Sequence, residues 1–113
     1  MKNALILHGR NCTPDMFWYK WLGNELEKAG YEVNIPLLPE NTSADRKIWV
    51  PFIKQALDFN PESIVVAVSA SCATTLEVIE NLDTKIYRLA LVAGFITPLR
   101  GEKTHPAIKK HYD

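Results

Sequence analysis

An α/β fold built on a parallel sheet of about four strands, with helices on both faces, is the architecture this sequence predicts. Three observations carry it. Short apolar runs rich in β-branched residues recur at residues 4–7, 31–35, 63–68 and 87–93. Segments of helical periodicity separate them through short turns, which gives β-α-β-α-β-α-β with right-handed crossovers. The third and fourth runs are apolar throughout instead of alternating, as strands covered on both faces are.

Each element has its own signals. The first run ends at His8-Gly9. Thr13, Pro14 and Asp15 then read as an N-cap, a proline at the first helical position and an early acid. The helix they open places Trp18, Leu22, Leu26 and Ala29 on one face with Trp21 beside them, and Gly30 stops it. Gly23 inside it costs about 1 kcal/mol relative to alanine. The second strand is ended by Pro36 and Pro39. Thr42 or Ser43 is expected to cap a helix through Ile48, Trp49, Phe52, Ile53, Ala56 and Leu57. Pro51 there predicts a kink, or a short helix leading into one that starts at Pro51. Asn60-Pro61 turns into the third strand. A third helix is expected from about Ser71 to Asn81, burying Ala73, Leu76, Val78 or Ile79, and Leu82. The fourth strand starts at Tyr87 and stops at Ala93. Beyond Gly94, the residues Pro98, Gly101 and Pro106 punctuate an irregular tail over residues 95–113.

The 113 residues are one domain, 1–113. Thirteen acids balance thirteen bases, so the sequence carries no electrostatic footprint for nucleic acid. No apolar stretch approaches the roughly 20 residues of a membrane span, and the amino terminus does not read as a signal peptide. A cytoplasmic location is expected. Two cysteines are too few for a disulfide framework. The three histidines and two cysteines have no metal-ligand spacing, so neither metal nor cofactor is expected.

The chemically informative stretch is residues 64–76. An apolar strand stops at Ser69 among small residues, and a helical pattern begins at once. That is the setting of a nucleophile elbow, in which a sharp turn lifts a serine hydroxyl above a sheet. A serine hydroxyl needs a general base and amide donors for the developing oxyanion. The amide of Ala70 opens the helix, and a second donor would come from the loop around Gly9, Arg10 or Asn11. Open α/β sheets bind ligands at this carboxyl end of the strands.

On these residues the chain resembles the α/β-hydrolase superfamily, and within it the compact serine hydrolases that include the retinoblastoma-binding serine hydrolase. The resemblance covers the chain to about Phe95 and lies in several motifs. These are His8-Gly9, Trp18-Tyr19-Lys20-Trp21-Leu22, Pro36-Leu37-Leu38-Pro39, Ile48-Trp49-Val50-Pro51-Phe52 and Ala67-Val68-Ser69-Ala70-Ser71. It implies strand order 2-1-3-4, Ser69 as nucleophile, Ala70 with the Gly9–Arg10 loop as oxyanion hole, and a small ester or acyl substrate. The family's Gly-x-Ser-x-Gly is degenerate here, with Ala67 and Ser71 at the glycine positions. Acid and histidine follow the nucleophile in the superfamily's chain order, and no identifiable position supplies them. The expected domain is therefore an incomplete α/β-hydrolase core.

The remaining candidates read as structural. His8 shapes the first loop, His105 and His111 lie in the tail, and Asp83 caps or solvates. Cys72 near a helix start and Cys12 on the first loop are expected to be two inert thiols rather than a redox pair. Two functions are compared: a carboxylesterase-like serine hydrolase, and an inactive, truncated relative serving as a binding or self-associating module. The second predicts self-association through the apolar edge from Tyr87 to Ala93.

Overall fold

The computed structural model describes residues 1–93. The expected tail lies outside them. The elements are β1 (Asn3–Leu7), α1 (Tyr19–Lys28), β2 (Glu32–Asn34), α2 (Arg46–Gln55), β3 (Ile64–Val68), α3 (Ser71–Glu80) and β4 (Arg88–Val92). The four strands form one parallel sheet in the order β2-β1-β3-β4, as the resemblance implies.

Strand periodicity decides what each face holds. With Leu5 opposite Val65 and Ile6 opposite Val66, successive residues point to opposite sides of the sheet. Ile6 and Val66 pack with Tyr19, Trp18, Leu22 and Leu26 of the α1 side. Leu5, Leu7 and Val65 pack with Trp49 and Ile53 of α2 and Val78 of α3. Helices therefore cover both faces, α1 on one and α2 with α3 on the other. An Arg46–Glu77 ion pair of 2.6 Å joins α2 to α3.

Gly23 marks where α1 meets β2. A Cβ there would stand 2.9 Å from Ile35 Cδ1, so the missing side chain brings the helix against the strand.

Several expectations are corrected. The first helix does not open at Pro14: Met16 N–H bonds Thr13 O in a turn, and Phe17 sits at φ 54, off the helical path, so α1 starts at Tyr19. Trp21 and Ala29 face solvent, whereas Tyr19, 1% exposed, takes the core position. The cap of α2 is Asp45, whose carboxylate accepts from Lys47 N–H at 3.0 Å, rather than Thr42 or Ser43. No separate helix starts at Pro51, which lies inside the single helix α2. Helix α3 buries Ser71, Cys72, Thr74, Thr75 and Val78, so its inward face is set by small and polar residues and not by Ala73 or Leu76. The fourth strand, apolar by sequence, is largely exposed. Leu89 reaches the core, but Ala90, Leu91 and Val92 are exposed; Ala90 and Val92 lie on the α1 face, where α1 contacts β1 and β2 and leaves this end of the sheet open among the described residues.

Candidate active site

Two loops meet at the carboxyl edge of the sheet. One follows β1 and begins His8-Gly9; the other is the turn between β3 and α3, which holds Ser69. Ser69 has φ 52, a left-handed conformation that non-glycine residues occupy at a cost of about 1–2 kcal/mol. The cost is offset locally. Ser69 N–H donates to Val92 O at 2.8 Å, and Ser69 O accepts from Cys72 N–H at 3.0 Å. Backbone strain of this kind concentrates where a side chain must be aimed.

The turn is tight, and Ser71 explains how it closes without the family's glycine. Its side chain is fully buried; Oγ accepts from Val68 N–H at 2.9 Å and faces the carbonyl oxygens of Val68 (2.9 Å) and Leu7 (3.3 Å). The hydroxyl thus takes the place of a strand partner at the end of β3, satisfying a donor that burial would otherwise penalise. The Ser71 side chain is a tie between β3, β1 and α3.

Gly9 stands directly against Ser69. A Cβ on Gly9 would come 3.2 Å from Ser69 Cβ, 3.5 Å from Val68 O and 3.8 Å from Ser69 Oγ. Ala70 opens α3, and the N–H groups of a helix's first turn have no intrahelical carbonyl. The structure thus brings Ser69, Ala70 and the Gly9–Arg10 loop to one edge. Asn11, at φ 59, turns its N–H to Asn41 O at 3.0 Å, away from Ser69's role.

His8 is fully buried and both ring nitrogens are committed. Nε2 accepts from Leu38 N–H at 2.9 Å, which places the proton on Nδ1, where it donates to Gly9 O at 2.7 Å. Burial lowers its pKa below the ordinary imidazole value, the Gly9 carbonyl opposing this in part. The ring stands edge-on to Trp49, whose Nε1–H donates to Pro39 O at 2.8 Å. A neutral, doubly bonded imidazole holds the loops after β1 and β2 together. His8 is a structural link, as the sequence reading expects, and is not placed as a base.

The cysteines differ. Cys72 is buried, its Sγ directed at Ala67 O (3.4 Å) and Val92 O (3.8 Å), and burial pushes its thiol pKa up. Cys12 is half-buried on the loop beside Gly9. Among the described residues no group of three His, Cys, Asp or Glu side chains is placed to hold a metal ion. No helix among them is long and apolar enough to cross a membrane. A concavity of about 390 Å³, lined by Met1, Asn3, Glu32, Asn34 and Asp58 among others, lies at the amino ends of the strands. Ligands of open α/β sheets bind at the other end.

A family model described as serine hydrolase matches residues 4–112. The chain belongs to the serine hydrolase family. A relative of that family, serine hydrolase RBBP9 of Rattus norvegicus, is 26% identical over 86 residues, covering 75% of this chain and 45% of the relative. Among solved structures, the ydeN gene product of B. subtilis superposes with a TM-score of 0.75 at 23% identity, over 88% of this chain and 55% of the other. That likeness is one of fold. The chain thus spans about half the length of that relative and of that solved structure.

Sequence reasoning missed Tyr19, an aromatic residue inside a Trp-rich motif that reads as ordinary core. Burial raises its pKa first, the Cys12 sulfur adds to this, and the Gly9 backbone lowers it.

Proposed function

We propose that this serine hydrolase cleaves carboxylic esters of small acyl substrates in the cytoplasm, with Ser69 as the nucleophile. One observation supports it above the others: among the described residues, Ser69 alone ends a central strand in a left-handed turn, at the start of a helix and against a glycine. Ser69 Oγ attacks the carbonyl carbon, the hydroxyl proton passes to a base, and the tetrahedral oxyanion forms. Ala70 N–H and an amide of the Gly9–Arg10 loop stabilise that charge. Collapse expels the alcohol and leaves an acyl-Ser69 ester, which water hydrolyses. His8, the one histidine among the described residues, has both ring nitrogens engaged, so it does not serve as that base. Hydrolysis of p-nitrophenyl acetate by the native chain and by Ser69→Ala tests the reading. A native rate well above that of the variant supports it, and equal rates remove Ser69 from the chemistry.

A second reading is favoured by β4. Leu91 and Val92, with Tyr87 just before the strand, are exposed large hydrophobics, and among the described residues β4 pairs only with β3. Such an edge recruits another strand, and in this reading the protein self-associates through the run from Tyr87 to Ala93 as an interaction module. Loss of dimer in Leu91→Lys by sedimentation velocity supports it; a native chain that is monomeric at high concentration counts against it.

A further inference from the structure

The Gly9–Arg10 peptide lies where the loop after β1 stands against Ser69. In a trans peptide the N–H points opposite the carbonyl, so whatever holds Gly9 O also aims Arg10 N–H. Two donors reach Gly9 O: His8 Nδ1–H at 2.7 Å and Cys12 N–H at 3.3 Å. The longer bond closes the turn from Gly9 to Cys12 and moves with that turn. The far half of the turn is tied elsewhere, Asn11 N–H to Asn41 O at 3.0 Å and Asn41 Nδ2 to Cys12 O at 2.8 Å. Neither of these ties reaches the Gly9–Arg10 plane.

His8 differs from these ties because its ring is anchored outside the loop. Nε2 accepts from Leu38 N–H at 2.9 Å, so Nδ1 carries the proton given to Gly9 O. Leu38, 1% exposed, belongs to the core cluster of Leu5, Leu7 and Trp49. The imidazole stands edge-on to Trp49 with centroids 6.4 Å apart, and Trp49 Nε1–H is itself fixed to Pro39 O at 2.8 Å. The ring is fully buried, and with both nitrogens bonded to backbone it has one orientation that leaves no polar atom unpaired. It thus carries the position of the β2 loop and of α2 to a single carbonyl of the loop that faces Ser69.

We propose that His8 is a positioning residue for ester cleavage, whose Nδ1–H holds the Gly9 carbonyl so that Arg10 N–H meets the oxyanion formed at Ser69. The inference rests on the serine-nucleophile reading and goes beyond it by naming the loop's oxyanion donor and the group that aims it. A donor is most effective in the transition state when it is already aimed, and a displacement of about 1 Å costs on the order of 100-fold in rate. The bonds also form one chain through a single peptide group, from His8 Nδ1–H through Gly9 C=O and Arg10 N–H to the oxyanion. As charge develops on the oxyanion, the peptide polarises toward Gly9 O, where the His8 proton meets it. No proton moves along this chain. His8 stays neutral and is distinct from the base that takes the Ser69 proton.

The test is the rate at which a fluorophosphonate labels Ser69 in the full chain, compared among native protein, His8→Leu and His8→Gln, with Ser69→Ala as blank. The final extent of labelling counts the competent molecules, so the rate per competent molecule separates aim from folding. His8→Leu fills the space with neither donor nor acceptor and is expected to react about tenfold more slowly per competent molecule. The side-chain amide of glutamine offers both a donor and an acceptor, and His8→Gln is expected to recover most of the lost rate. His8→Leu reacting at the native rate, or a folded His8→Gln no faster than His8→Leu, overturns the assignment and leaves the serine reading standing. A folded native chain that fails to label at Ser69 overturns the serine reading, and the role of His8 with it. Should neither variant fold, proton–nitrogen NMR of the native chain before and after labelling decides, because the phosphonyl oxygen stands in for the oxyanion. Arg10 N–H and His8 Nδ1–H are expected to move downfield together on labelling. A His8 proton that keeps its position overturns the proposal.

Discussion

Gly9 and Ser69 are in contact so close that a methyl group on Gly9 would stand 3.2 Å from Ser69 Cβ. The loop after β1 and the turn after β3 therefore share one packing constraint. Gly9→Ala must push Ser69 or the loop aside by a few tenths of an ångström. The expected outcome is a stability loss of about 1 kcal/mol, the lower end for an overpacked site. A fall of about tenfold or more in p-nitrophenyl acetate hydrolysis accompanies it. Thermal melting and the initial rate, measured on the same preparation, check both. Full activity at native stability would show that the two loops are not coupled.

Ser71 yields a prediction of the opposite flavour, since the family's glycine is the substitution that should hurt. Removing the hydroxyl in Ser71→Gly or Ser71→Ala leaves Val68 N–H without its 2.9 Å acceptor. A buried donor left unsatisfied costs about 1–3 kcal/mol. The urea midpoint of either variant is expected to fall accordingly. Ser71→Gly rising above the native midpoint would contradict the role given to Oγ.

What the sequence revealed and what it hid divide along physical lines. The strands were legible because β1 and β3 are unbroken apolar runs and Gly30, Pro36 and Asn60-Pro61 punctuate them, whereas their order was carried by the family resemblance. Ser69 was legible because the strand-to-helix change falls on it. Capping was misread at Thr13-Pro14-Asp15, where local cap chemistry is present but Phe17 leaves the helical region. The inward face of α3 was misread because Ser71, Cys72, Thr74 and Thr75 are small enough to enter a close contact that apolar periodicity does not register. The core position of Tyr19 was invisible because it depends on where α1 starts once Phe17 leaves the helical region. The exposure of β4 depends on what covers it, and its apolar composition carries no such information.

His8 links stability to pH. Its folded pKa is lowered by burial below the ordinary value of 6.5, so the unfolded chain binds the proton first as pH falls. The stability associated with neutral His8 is complete above that ordinary value and is lost as pH drops through it toward the folded pKa. Protonation also converts Nε2 into a donor and breaks the bond from Leu38 N–H. Urea midpoints at pH 7.5 and pH 5 should fall with acidity, and fall less in His8→Gln. Identical slopes for the two proteins would remove His8 from the linkage.

The β4 edge predicts a concentration dependence. Leu91 and Val92 are 43% and 37% exposed, and lysine on an edge strand is an established block to pairing. The native chain is expected to sediment increasingly as a dimer between micromolar and hundred-micromolar concentration. Leu91→Lys should remain monomeric throughout. Parallel behaviour of the two proteins would locate any association elsewhere.

The central claim, that Ser69 is an activated alcohol at the head of β3, is most directly tested by intact mass and peptide mapping after exposure to diisopropyl fluorophosphate. The account predicts one added phosphoryl group, mapped to Ser69 and missing in Ser69→Ala. A folded chain that stays unmodified, or carries the group at Ser71 or elsewhere, would contradict it.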